Sequence, residues 1–130
     1  MQNVKLSAEA IARAHVEPTH VQGGITRWML QKVDFPEGCT IDTSIIEVQA
    51  GTNAAPHTHP GVEIGYVLGG NFYLCIEGRP DQPLGVGDSY SIPAGAVHYA
   101  KVPGDKTLRV HCAFIGEKNK PLATVEAPAH

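Results

Sequence analysis

Residues 51–70 read GTNAAPHTHPGVEIGYVLGG, which sets Gly51, His57, His59, Glu63 and Gly70 in the order G-x5-H-x-H-x3-E-x6-G. Side chains two apart in an extended segment point the same way, so His57 and His59 share a face. Pro60-Gly61 then lets the chain turn, and Glu63 aims its carboxylate back at the same point. A second pattern follows at residues 87–98, GDSYSIPAGAVH, or G-x5-P-x-G-x2-H, in which the Pro93-Ala94-Gly95 turn delivers His98. Three imidazoles and one carboxylate form a ligand set for a first-row divalent ion such as Fe, Mn, Ni, Cu, Co or Zn, whereas Mg and Ca want oxygen. Gly51, Gly70, Gly87 and Gly95 are turn residues that position those ligands.

Around this stretch the chain is punctuated as an all-β domain. Short apolar runs alternate with Gly, Pro, Asn and Asp, and helical periodicity is missing after Pro18. Strands are expected near Ile25 to Val33, Thr40 to Val48, Gly61 to Leu68, Asn71 to Glu77, Gln82 to Leu84, Ser89 to Ile92, His98 to Lys101 and Leu108 to Ile115. Gly69-Gly70 reads as a tight hairpin turn, and Gly78 with Pro80-Asp81, Gly85 to Asp88, and Pro103-Gly104-Asp105 mark further reversals. Eight short strands without helical crossovers exclude a parallel α/β sheet and leave a sandwich, a jelly roll or a closed barrel. Before them, Ser7 is placed to cap a short helix from Ala8 to Ala14. The expected organisation is one domain, with an N-terminal segment at 1–24, a barrel core at 25–116 and a C-terminal arm at 117–130.

Composition narrows the partners. At 130 residues the chain holds one core, and its net charge of -3 comes from scattered groups with no basic stripe for a phosphate backbone. Nucleic acid and membrane are therefore not expected partners, and there is neither a signal-type apolar stretch nor a run of 18 apolar residues, so a cytoplasmic protein is expected. Cys39, Cys75 and Cys112 are widely spaced and sit in apolar runs, which fits reduced core residues rather than a thiolate metal site.

The two histidine motifs resemble those of the cupin superfamily, closely from Gly51 to about Val102 and by strand pattern outside it. The resemblance implies a single-domain jelly-roll β-barrel, with His57, His59, Glu63 and His98 as the metal ligands, and a homodimer exchanging strands or arms. The second motif often continues H-x3-N, whereas Val102 stands there in this chain, which alters a turn contact rather than the metal set. Cupins include metal-dependent dioxygenases, isomerases, decarboxylases and lyases, as well as binding proteins without catalysis.

Candidates for substrate contact are weaker. Arg109 and His111 share one face of the last long strand, opposite Leu108, Val110 and Cys112. If that face looks into the barrel, Arg109 holds a substrate carboxylate and His111 moves a proton; if Leu108 and Val110 fill the core, both face outward. Tyr66 and Tyr99 are read as packing residues, Trp28 as core or dimer contact, and Glu47 and Glu77 as solvated. His15, His20 and His130 are read as surface or packed histidines.

A dication with neutral imidazoles and one carboxylate keeps about one positive charge, which favours an anionic oxygen ligand. An octahedral ion held by four residues leaves two open positions. The leading expectation is thus a metal-dependent dioxygenase acting on a small chelating organic anion. A redox-neutral isomerase, lyase or decarboxylase and a non-catalytic sensor are the alternatives. No Ser-His-Asp arrangement, phosphate loop or paired-carboxylate motif supports a hydrolase or kinase.

Overall fold

The computed structural model describes residues 17–35, 38–118, 121 and 124–125. The helix expected at Ala8 to Ala14 lies outside them. Among the described residues eleven strands follow in chain order: β1 (His20–Gln22), β2 (Ile25–Phe35), β3 (Cys39–Val48), β4 (His57–Thr58), β5 (Val62–Gly69), β6 (Asn71–Ile76), β7 (Gln82–Gly85), β8 (Ser89–Ile92), β9 (His98–Lys101), β10 (Leu108–Glu117) and β11 (Thr124–Val125). No helix among the described residues is long and apolar enough to cross a membrane.

The strands form two antiparallel sheets, one in the order β1-β2-β3-β10-β5-β8 and the other β11-β4-β9-β6-β7. From β3 onward the chain repeatedly crosses from one sheet to the other, and among the described residues β6 with β7 is the only consecutive pair that stays together. This is the jelly-roll arrangement, and all eight expected strands are present within a residue or two of their expected ends. Three short strands were not legible in the sequence, and one of them, β11, adds part of the C-terminal arm to β4.

The Gly69-Gly70 hairpin expectation is corrected. β5 pairs with β10 and β8, whereas β6 pairs with β7 and β9, so the two glycines carry the chain between sheets. Gly70 has a φ of 73°, and a Cβ there would collide with the backbone at Thr107 and Leu108. A side chain would block the crossing as well as strain it.

Period-2 alternation sorts residues between the core and the outer faces. Val67, Phe72, Leu74, Ile92, Leu108 and Val110 belong to the core between the sheets. Val102 joins them at 1% exposure, and its carbonyl accepts a 2.7 Å hydrogen bond from the Gly51 N–H. Packing and a backbone bond thus tie this corner together where the Asn of the common motif is missing. A smaller cluster, Trp28 with Ile45 and the partly buried Leu30, packs separately, with Trp28 and Ile45 paired across β2 and β3.

Register places two rows of inward residues across the larger sheet. Asp42, Phe114, Glu63 and Ile92 form one row over β3, β10, β5 and β8, and Ser44, Cys112, Gly65 and Tyr90 form the next. The second row is small until Tyr90. A Cβ on Gly65 would run into the Tyr90 ring, so glycine here makes room for the tyrosine to lean across the sheet.

Candidate metal centre

The three motif histidines converge. His57 on β4 is the register partner of His98 on β9, and their ring centroids are 4.3 Å apart. His59 follows two residues after His57, with its ring 4.9 Å from His57 and 4.8 Å from His98. The expected sharing of a face is therefore observed, and one nitrogen from each ring lies within 4.8 Å of the others. A backbone bond from Gly95 N–H to the His59 carbonyl, 2.9 Å, links the turn of the second motif to the first.

Backbone carbonyls set the imidazoles. Nδ1 of His57 lies 2.9 Å from the Ala55 carbonyl, and Nδ1 of His98 lies 2.9 Å from that of Ala96. A carbonyl only accepts, so each Nδ1 carries the proton and each Nε2 is left with its lone pair facing the centre. The His98 Nε2 is buried without a hydrogen-bond partner. Burial lowers the pKa of His57, and that of His98 falls to about 4, so both rings are neutral and able to donate at neutral pH.

Glu63 lies beside the three histidines. Its Oε1 lies 3.0 Å from His59 Nε2 and 3.9 Å from His98 Nε2, while Oε2 accepts a 2.7 Å hydrogen bond from the Tyr90 hydroxyl. Burial alone would raise the Glu63 carboxyl, but the His59 and Tyr90 hydrogen bonds together with the nearby imidazoles hold it below its usual value. Burial and the Glu63 charge both push the Tyr90 phenol well up, so it remains a donor. Nitrogen-rich donors, an unpaired buried lone pair and a carboxylate at their edge fit a first-row divalent ion.

The centre opens on a cavity of about 120 Å³. The four motif residues line it with Ile25, Arg27, Val48, Phe72, Leu74 and Tyr90 among others. That is somewhat less than the roughly 150 Å³ of an engineered cavity that takes up benzene, so a compact ligand fits.

Arg109 and His111 lie elsewhere. Leu108 and Val110 face the core, which turns Arg109 to the opposite face of β10. There Arg109 is 5% exposed and forms an ion pair with Glu47, its register partner on β3. His111, on the same face, is exposed. The cavity-facing alternative for both is therefore corrected, as is the reading of Glu47 as a solvated residue. Tyr66 is 47% exposed and does not pack in the core. Cys75 and Cys112 are buried and Cys39 half-buried, and all three are free thiols. Burial pushes the Cys112 thiol far up.

Two residues at the site were missed. Tyr90 was findable, because Ser89-Tyr90-Ser91-Ile92 alternates cleanly and puts Tyr90 inside with Ile92. Arg27 was harder: it shares the cavity with Ile25, but the neighbouring Trp28 is also buried, so no polar-apolar alternation marks the inner face of β2.

A Cupin domain family model matches residues 44–114. No match is found among curated proteins. Among solved structures, the chain is similar to an RmlC-like cupin from Shewanella frigidimarina, at 23% identity over 82% of this chain and 89% of that one, with a TM-score of 0.66. It is similar also to the DMSP lyase DddQ from Ruegeria pomeroyi, at 20% identity over 94% and 70% of the two chains, with a TM-score of 0.73. The polyketide cyclase RemF from Streptomyces resistomycificus matches at 23% identity over 99% and 87%, with a TM-score of 0.68. At these identities the likeness is one of fold.

Proposed function

Because the chain belongs to the Cupin domain family, we propose that His57, His59, Glu63 and His98 hold one first-row transition-metal ion and that the protein is a metal-dependent dioxygenase acting on a small chelating organic anion. The observation that carries the proposal is the convergence of three imidazoles and a carboxylate at the mouth of a largely hydrocarbon cavity. When bound, the ion supplies Lewis acidity and, for iron, copper, nickel or manganese, electron exchange with dioxygen.

The protein's own groups do the rest. The Ala55 and Ala96 carbonyls fix the tautomers of His57 and His98, and Tyr90 holds one Glu63 oxygen so that the other stays with the imidazoles. Ile25, Val48, Phe72 and Leu74 keep bulk water off the reacting end of the ligand. The site's residual positive charge favours an anionic oxygen donor. Oxygen consumption that needs both Fe(II) and an added small acid would support the assignment, and turnover that persists under argon would overturn it.

A redox-neutral reaction is the second reading. Two of the similar structures are named for lyase and cyclase activities, and the same four ligands serve a Lewis-acid role without electron transfer. The argon experiment separates the two directly.

We also propose a homodimer. Val62, Ile64, Tyr66 and Leu68 alternate along the outer face of β5, all more than a third exposed, and form an apolar stripe within the larger sheet. A second copy of the same stripe is a self-complementary cover for it.

A further inference from the structure

Arg27 stands in the row of Ile46 and Val110 by its backbone, but its guanidinium does not stay there. The guanidinium carbon lies over the Phe114 ring, 5.1 Å from its centroid, and Phe114 belongs to the Asp42 and Glu63 row. The side chain is thus stretched along the cavity wall towards the histidines. The same ring meets His59, with centroids 4.8 Å apart, so the guanidinium and the histidine cluster share one aromatic neighbour. Arg27 lines the cavity, and its Nε is buried without a hydrogen-bond partner. No ion pair holds the guanidinium among the described residues, and the buried Asp42 nearby keeps one oxygen without a partner as well. Burial raises the Asp42 carboxyl, with the Arg27 charge acting against that rise.

A guanidinium offers five donors in a planar fork matched to a carboxylate, and leaving one of them buried and unmatched is costly. The fixed contact with Phe114 orients the fork without using its hydrogen bonds. Arg109, the other arginine considered for this role, spends its fork on Glu47 outside the cavity. Among the described residues that line the cavity, Arg27 is the cationic donor without an ion pair.

We infer that Arg27 is the anion subsite of the cavity, taking one carboxylate of a small dicarboxylate whose other end reaches the histidine cluster. The inference rests on the proposed metal site and narrows its ligand from any chelating anion to an acid with two charged ends, compact enough for a cavity of about 120 Å³. Arg27 then decides which acids bind, as a specificity residue, without holding the metal.

The test compares malonate and succinate with propionate, by calorimetry on the protein as isolated, with the metal per chain measured on the same samples. Wild type should bind the better dicarboxylate about tenfold tighter than propionate. Arg27→Gln should lose that preference while keeping the wild-type metal content and unfolding midpoint. Arg27→Lys, which keeps the charge without the fork, should retain part of it. Equal binding of dicarboxylate and monocarboxylate by wild type, or an undiminished preference in folded Arg27→Gln, would overturn the inference. Metal content separates the two readings: a wild-type site that neither holds nor takes up an added first-row ion would count against the proposed function, whereas a loaded site with equal acid binding would count against Arg27 alone.

Discussion

The Tyr90 hydroxyl donates a 2.7 Å hydrogen bond to Oε2 of Glu63, across the space that Gly65 leaves open. With Oε2 held in this way, Oε1 faces the Nε2 atoms of His59 and His98, at 3.0 and 3.9 Å. Tyr90→Phe fills the same volume and removes only the hydroxyl. It should weaken metal affinity by about 10- to 100-fold, the usual effect of losing a group that orients a ligand, while far-ultraviolet circular dichroism stays unchanged. Wild-type affinity in this variant would remove Tyr90 from the account.

Arg109 and Glu47 make the second prediction. They form a part-buried pair remote from the cavity, so Arg109→Met strands the Glu47 carboxylate. Denaturant unfolding should show a loss of about 1–3 kcal/mol, below that for a fully buried pair because the Glu47 side chain keeps 21% exposure. Metal content and acid binding should match wild type. A selective loss of acid binding with stability intact would return Arg109 to the substrate site.

Acid should destabilise the metal-free protein in a defined window. His98 has its folded pKa lowered from 6.5 to about 4, so between these values the unfolded chain binds a proton that the folded chain refuses. Stability is therefore full above pH 6.5 and declines as pH falls to about 4, by at most roughly 3 kcal/mol from this residue. His57 shifts in the same direction. Glu63, lowered from 4.5, adds a further loss as pH drops below that value. Unfolding midpoints measured from pH 7.5 to 4 should fall through this window, and His98→Gln should flatten the profile. A flat wild-type curve would contradict the burial of neutral imidazoles.

The β5 stripe predicts the assembly state. Sedimentation should give a dimer for wild type and a monomer for the double variant Ile64→Glu and Leu68→Glu, with metal content retained in both. A wild-type monomer would leave the stripe without the proposed cover.

The fold and the convergence of the histidines were legible because they depend on local signals. The H-x-H spacing, the turn before Glu63 and the Pro93-Ala94-Gly95 reversal each act within a few residues, and alternation found eight of the strands. What the sequence hid is set by which sheet a strand joins. Gly69-Gly70 has the composition of a hairpin turn, yet pairing sends β5 and β6 to different sheets. The face of Arg109 depends on Val110 and Leu108 packing inward, and its burial depends on a partner 62 residues away. The Arg27 guanidinium reaches the Phe114 ring and the cavity along its own side chain, beyond what backbone periodicity describes.

If His57, His59, Glu63 and His98 hold one transition-metal ion, the metal content per chain reads it at once. Untagged protein, purified without chelators or immobilised-metal resin, should carry close to one first-row ion per chain, and His59→Ala and Glu63→Ala should lose it while remaining β-rich. A wild-type protein that neither carries nor takes up such an ion, or a variant that stays fully loaded, would contradict the account.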